Sequence, residues 1–313
     1  AFAAFGKKGG LSFGGWINAI IPILIVPYYS VIGGWVIRYL AEYIAGHGKE
    51  LATDGYFSSF ISNGASAEIC FVIFTIFTLA IIFAGVRNGV ERVSKVMMPI
   101  LVVLSVIIAG YSVTRPGALA GVKDFLVPNV AHFSWMTVVT AMGQMFYSLS
   151  IAMGILVTFG SYMKKDVSIE ESTEHVEIFD TLIAVMAGLM IIPAVFAFSG
   201  GDPDTLQAGP ALMFITIPKV FASMGLGTVV GVLFFVLVLF AAVTSSIALT
   251  ESAVSTFEDE LGWGRKKATV LVGVIMVALG TLSSLGYGPL AGVTIIGMQF
   301  LDFFDFLTNS VMM

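Results

Sequence analysis

Ala241, Thr244 and Ser245 stand at i, i+3 and i+4 in the apolar run "FFVLVLFAAVTSSIALTESAV", so in a helix they share one face. A carbonyl at 241 and hydroxyls at 244 and 245 are hard oxygen donors of the kind a small cation takes. Packing between helices also draws Ser and Thr to such faces. A second cluster, "GQMFYSLSIAMG" at 143–154, puts Gly143, Gln144, Ser148, Ser150 and Gly154 into another apolar run. Gly costs a helix about 1 kcal/mol against Ala. Small residues can again serve packing, and Ser can bond back to its own helix. Clustered, they also suit a helix broken at mid-membrane, where freed carbonyls attract cations and the N-terminal half-helix end attracts carboxylates. Three carboxylates stand near these clusters in sequence. Asp180 opens a later apolar run, where it could simply complement a helix dipole. Glu251 and Asp259 continue the 241–245 helix, and an acid inside a membrane is a functional hypothesis by default. Tyr28 and Tyr29 in "PYYS" fall mid-run, which suits a pocket better than an interfacial aromatic belt.

The elements that must hold these residues are membrane helices. The chain is 58% hydrophobic and only 11% charged, against about 25% charged in a soluble domain. Runs of roughly 20 uncharged residues span a bilayer as helix, and lipid leaves backbone groups no other partner. Eight segments are expected, at about 14–44, 68–87, 89–113, 137–162, 176–198, 226–257, 267–286 and 299–313, the last cut short. Alternate connections and the N-terminal "GKKGG" carry ten Lys and Arg against five on the other side, which puts the first side in the cytoplasm. The outer connections hold turn residues and one short apolar stretch, "ALMFITIPKVFASM", suited to a hairpin capping an outer vestibule. Cys70 is a lone cysteine in an apolar run, so no disulfide framework exists. A net charge of −5 spread over loops offers nothing to nucleic acid. His47, His132 and His175 fall in loops, and no HExxH or nucleophile elbow is present, which argues against a membrane enzyme. A start without Met and an end inside "NSVMM" read as a fragment or a trimmed chain.

Taken in order, these motifs resemble the neurotransmitter:sodium symporter family, most closely its bacterial amino-acid transporters. "GQMFYSLSIAMG" looks like the family's broken sixth helix, "AAVTSSIAL" its eighth and "PYYSVIGGW" its third. Gly89 and Pro99 match a Gly-X9-Pro motif in the fifth helix, and "FEDELG" and "DFFDFL" look like inner and outer gate segments. The resemblance implies an all-α polytopic membrane protein with a partial LeuT-type inverted-repeat fold, about eight transmembrane helices, one of them broken. It implies one transmembrane domain over 1–313, with the remainder of the first repeat in 1–113 and the second repeat in 137–313. The register begins just before the family's third helix and ends within its tenth. The family's first two helices, the first of which supplies half of both sodium sites, are thus expected as missing partners, and this stretch alone is not expected to transport.

Residue by residue, the resemblance implies a second sodium site at Ala241, Thr244 and Ser245, and contributions to a first at Ser148 and Asp180. The family often has Asn at the Asp180 position, and chloride-dependent members add an anion there, so an Asp implies chloride independence. The substrate pocket would be lined by Ile25, Tyr29, Tyr147, Ser148, Ser150, Met153, Ser245 and Leu249, with Tyr29 on the substrate carboxylate and Tyr147 as its partner in an aromatic lid. Ala152 stands where a Gly is common and should narrow the turn. Met153 stands where Phe is frequent and can make room for a ring. The expected substrates are hydrophobic or aromatic L-amino acids, driven by sodium across a bacterial inner membrane. Asp305 resembles the outer gate acid, and Ser161, Tyr162, Glu251 and Asp259 resemble the inner gate network, with partners expected in the missing N-terminal part. Gly89 and Pro99 would let the fifth helix unwind. A symporter for another organic solute, or a non-transporting receptor on the same fold, are the alternatives. The retained cation ligands argue against the receptor.

Overall fold

The computed structural model describes residues 10–128, 133–200, 202 and 209–313. Lys7, Lys8, His132 and parts of the connections 114–136 and 199–225 lie outside the described residues. Apart from one bridge between Ile295 and Met298, the regular structure described is helical. Six helices among these residues are long and apolar enough to cross a membrane. They are α1 (Gly10–Ile44), α2 (Gly64–Phe83), α3 (Glu91–Val113), α7 (Ile169–Ser199), α8 (Gly227–Leu261) and α9 (Arg265–Leu285). Between them lie α4 (Ala118–Leu126), α5 (Trp135–Ser148) and α6 (Ile155–Ser161), and α10 (Phe300–Asp305) follows.

Two of the eight expected segments are therefore not continuous helices. The segment expected at 137–162 is split into α5 and α6 by an irregular turn, which is the break that its small residues suggested. The segment expected at 299–313 is α10 followed by wider π turns over Phe306–Met312. There the Thr308 hydroxyl takes up the Phe304 and Asp305 carbonyls, a local competition that loosens helical pairing.

The spans are apolar on nearly all sides, as lipid requires. On α2, Ile69, Ile73, Ile76 and Phe77 form an outward stripe. Ala67, Cys70, Phe71, Phe74, Thr78 and Ile81 face inward. α1 is the central post, packed against α8, α2 and α9, while α7 packs on α3 and α4. The stretch "ALMFITIPKVFASM" folds as short helical pieces over Gly209–Ala222. An aromatic cluster fixes it to the post: Phe214 meets Trp35, Tyr39 and Phe57, and the Tyr39 hydroxyl donates to the Phe214 carbonyl at 2.8 Å. Lys219 pairs with Asp54 at 2.5 Å, and that hydrogen bond holds the Asp54 carboxyl below its ordinary range.

Arg87 after α2, Lys164 and Lys165 after α6, and the basic first turns of α3 and α9 mark one end of the bundle, called the inner end below. At this end Gly85, with φ of 90°, turns the chain into a π turn over Val86–Val90. A Cβ on Gly89 would lie 2.0 Å from the Ile81 carbonyl oxygen, so only glycine fits this approach. Pro99 sits inside α3, ten residues beyond Gly89.

Candidate binding site at the helix break

The break is built from strained backbone. Ser150 and Ala152 take φ of 56° and 68°, and Gly154 takes 71°. Side chains rarely enter this left-handed region, at a cost of roughly 1–2 kcal/mol each. Ala152 is thus at a position that asks for glycine. Its effect falls on the backbone itself, beyond the narrowing expected from its size.

A cavity of about 390 Å³ opens beside the break. Its wall contains Ile25 and Tyr29 from α1, Tyr147 and Ser148 from the end of α5, Ser150 and Met153 from the turn, and Ser245 and Leu249 from α8. All eight residues expected to face a substrate are therefore gathered in one place. Thr244 is there too. Met98, Gln144, Ile155 and Ala248 complete the wall and were not foreseen. Met98 precedes the foreseen Pro99 and reads in sequence as one more lipid-facing residue. Ile25, Met153 and Leu249 are almost wholly buried and make the apolar side of the cavity. No Lys, Arg, Asp or Glu lies in the wall among the described residues.

Two sets of oxygen donors flank the cavity. The Ser148 hydroxyl donates to Asp180 Oδ1 at 2.6 Å, joining the end of α5 to α7. On α8 the Thr244 hydroxyl shares its proton between the carbonyls of Phe240 (2.9 Å) and Ala241 (3.0 Å). With the proton committed to its own helix, the oxygen keeps lone pairs free to accept. Ser245 is the exposed member of the pair.

At the inner end, Glu251 is fully buried on α8. Arg265 meets it with a fork, Nη1 to Oε1 at 2.9 Å and Nη2 to Oε2 at 2.6 Å. Tyr162 donates its hydroxyl to Oε1 at 2.7 Å. Arg265 also donates from Nε and Nη2 to the Ile82 carbonyl, at 3.1 and 3.0 Å. The acid thus has its cation inside the described chain, where a partner from a missing segment was expected. Ser161 and Asp259 are not part of this network. They line a separate inner cavity of about 350 Å³, with Asn18, Gly154, Thr158 and Ser252. At the outer end Asp305 accepts from Asn309 Nδ2 at 2.6 Å, and Tyr28 pairs with Thr308 at 3.2 Å. No ion pair forms at Asp305 among the described residues.

A membrane bundle with one helix broken beside a cavity of apolar walls and oxygen donors is the architecture of a secondary transporter. The chain belongs to the sodium:neurotransmitter symporter family, whose pattern matches residues 57–313. It is 35% identical over 302 residues to the uncharacterized sodium-dependent transporter YhdH of Bacillus subtilis, covering 96% of this chain and 66% of that protein. An uncharacterized sodium-dependent transporter of Haemophilus influenzae is 32% identical, with 95% and 66% covered. One from Methanocaldococcus jannaschii is 26% identical, with 97% and 63% covered. The chain thus spans just under two thirds of the length of these relatives. Among solved structures, MhsT in complex with L-phenylalanine aligns with a TM-score of 0.83 and 37% identity, over 96% of this chain and 68% of that one. The expected all-α inverted-repeat transporter architecture is borne out, and the protein is a multi-pass membrane protein of a transporter family, not of an enzyme family.

Proposed function

We propose that the protein is a sodium-coupled symporter that imports hydrophobic or aromatic L-amino acids by alternating access. The observation that carries this is convergence: donors and apolar residues from α1, α5, the turn and α8 meet at one break, with Asp180 bonded to Ser148 at its edge. The oxygen sets are suited to sodium as cargo. Ser148 and Asp180 would serve one ion, and the Ala241 carbonyl with Thr244 and Ser245 a second. Asp180 supplies fixed negative charge beside the first ion, so no chloride is required. The wall of Ile25, Met153 and Leu249, free of ionised side chains, favours an apolar substrate side chain. The complex of MhsT with L-phenylalanine supports the same class.

In this mechanism sodium binds first between Ser148 and Asp180 and ties α5 to α7. That orders the wall to which substrate binds, so each ligand tightens the other. Tyr29 takes the substrate carboxylate, Tyr147 and Asp305 belong to the outer closure, and Ser161, Tyr162, Glu251 and Asp259 to the inner one. Gly89 and Pro99 let α3 yield at its inner end. Segments 1–113 and 137–313 belong to two inverted repeats of one domain.

The test is binding of labelled Trp, Tyr, Leu and Ala to the intact protein in sodium and in a sodium-free buffer. Sodium-dependent binding with Trp, Tyr or Leu well ahead of Ala is expected. Binding indifferent to sodium overturns the symport reading. Replacing Thr244 by Val and Ser245 by Ala together should remove the sodium dependence, and its survival would refute the second-site assignment.

A further inference from the structure

Gly154 lies in the wall between two cavities. Its neighbours Met153 and Ile155 line the pocket at the break, while Gly154 itself lines the inner cavity. Its backbone N–H starts α6 and has no turn of helix before it to accept it. Asn18 Oδ1 on α1 accepts it at 2.5 Å. The approach is close on both sides. A Cβ at 154 would sit 2.9 Å from Ser252 Oγ and 3.0 Å from the Asn18 carbonyl oxygen. Ser252 in turn donates to the Met153 carbonyl at 3.5 Å.

Asn18 stands at i, Ile25 at i+7 and Tyr29 at i+11 of the same helix, a single stripe about 16 Å long. Tyr29 and Ile25 face the pocket, and Asn18 faces the end of the break. One continuous helix, with Pro22 and Pro27 inside this stretch, therefore carries both the substrate wall and the acceptor for the start of α6. The bond spans 136 positions of sequence and is the polar contact in this group that pins the turn to α1.

We propose that Asn18 is a positioning residue: its bond to Gly154 holds shut the partition between the binding pocket and the inner cavity. Its consequence, control of inward opening, rests on the transport reading above. The bond itself does not. With Asn18 in place, α6 starts at a fixed height on α1 and the turn 149–154 stays closed over the pocket. Without it, the Gly154 N–H is free and the turn is held on one side only, by Ser252.

The test places Ala248→Cys in the pocket wall of the intact protein, with Cys70 replaced by Ser. Vesicles of both orientations receive a membrane-impermeant maleimide, without sodium or amino acid. Asn18→Leu and Asn18→Ala should raise the labelling rate from the inner side about tenfold, as expected for loss of one partly buried hydrogen bond. They should leave the outer-side rate unchanged. Asn18→Asp keeps an acceptor oxygen and should label within about twofold of the parent. Parent-like labelling in the Leu or Ala variant, an equal rise from both sides, or Asp behaving as Leu does would each overturn the proposal. If neither Leu nor Ala reaches the membrane, amide hydrogen exchange at Gly154 in the Asn18→Asp and Asn18→Ser proteins decides it. Slow exchange in Asp and fast exchange in Ser is expected, and equal exchange refutes it. Sodium-dependent amino-acid binding is measured in parallel on the parent, so failure of the transport reading would show there while the labelling still decides the role of Asn18.

Discussion

Arg265→Met would weigh the inner-end network. Glu251 is wholly buried and takes three donors, two from the Arg265 fork and one from Tyr162. The methionine keeps much of the stem but removes both charged donors, leaving a buried carboxylate with one hydroxyl. Removing one partner of such a pair costs about 3–5 kcal/mol, chiefly the penalty of the charge left behind. The Arg265 side chain is 23% exposed, so water reaches part of the site and the lower end, about 3 kcal/mol, is expected. The Ile82 carbonyl adds little to this cost, because the Gly85 N–H still binds it. Adding Glu251→Gln should recover most of the loss and bring the double variant within about 1 kcal/mol of the parent. Arg265→Lys should fall between, since an ammonium cannot fork onto both carboxylate oxygens and the carbonyl at once. The assay is equilibrium unfolding in mixed micelles followed by tryptophan fluorescence. A single variant less than about 1 kcal/mol below the parent, or a double variant as weak as Arg265→Met, would refute the reasoning that an unpaired buried charge sets the cost.

Asp180→Asn removes the fixed charge beside Ser148. Sodium affinity should drop at least about tenfold in gluconate and recover partly in chloride. Equal affinity with both anions and no drop would refute the role given to Asp180. The His47 Nδ1 lies 2.8 Å from Glu42 Oε2, and that hydrogen bond raises its pKa. Because the folded value is the higher one, the contribution is complete below the ordinary value near 6.5 and fades as pH rises through the raised one. An NMR titration should therefore find a midpoint above 6.5 that falls in Glu42→Gln, and an unchanged midpoint refutes the pairing. Ala152→Gly should relieve a left-handed alanine and raise the unfolding free energy by about 0.5–1 kcal/mol after the added chain entropy. A loss of stability there would mean that the alanine methyl contributes packing that outweighs its strain.

Much of the site was legible because its chemistry departs from what lipid asks for. Ser148, Ser150 and Gly154 in an apolar helix announce a break, and Thr244 with Ser245 announce a polar face, since each carries a cost that function has to offset. Arg265 was not legible in this way. A basic residue at a helix start in a basic loop looks like a topology signal, and only the fold brings it to Glu251 fourteen positions back and to Ile82 far away in sequence. Met98 was missed for the opposite reason: nothing in its type distinguishes a pocket wall from a lipid face. The split of 137–162 followed from residue types. The loosening of 299–313 into π turns depends on where the Thr308 hydroxyl finds a carbonyl, which the sequence does not specify.

The two halves of the broken helix are held in different ways, and this bears on which of them a ligand can move. None of the residues of α5 is buried among the described residues, and its end is tied by one side-chain bond, Ser148 to Asp180. α6 buries Ile155 and Thr158, and hydroxyl contacts join Thr158 to Ser252 and Ser255 on α8. Between them, two non-glycine residues in the left-handed region store roughly 2–4 kcal/mol. A strained turn between a loosely held and a firmly held segment transmits displacement from the loose side, because the firm side has more contacts to lose. On the proposed reading, sodium at Ser148 and Asp180 acts on the loose half. It fixes α5 against α7 and settles the turn in one geometry, and the pocket wall formed by Tyr147, Ser150 and Met153 follows. Inward release then requires the firm half to yield, which needs the Asn18 and Ser252 contacts at Gly154 to open. Ion binding and inward opening are thus separated along six residues of backbone, one at each end of the break.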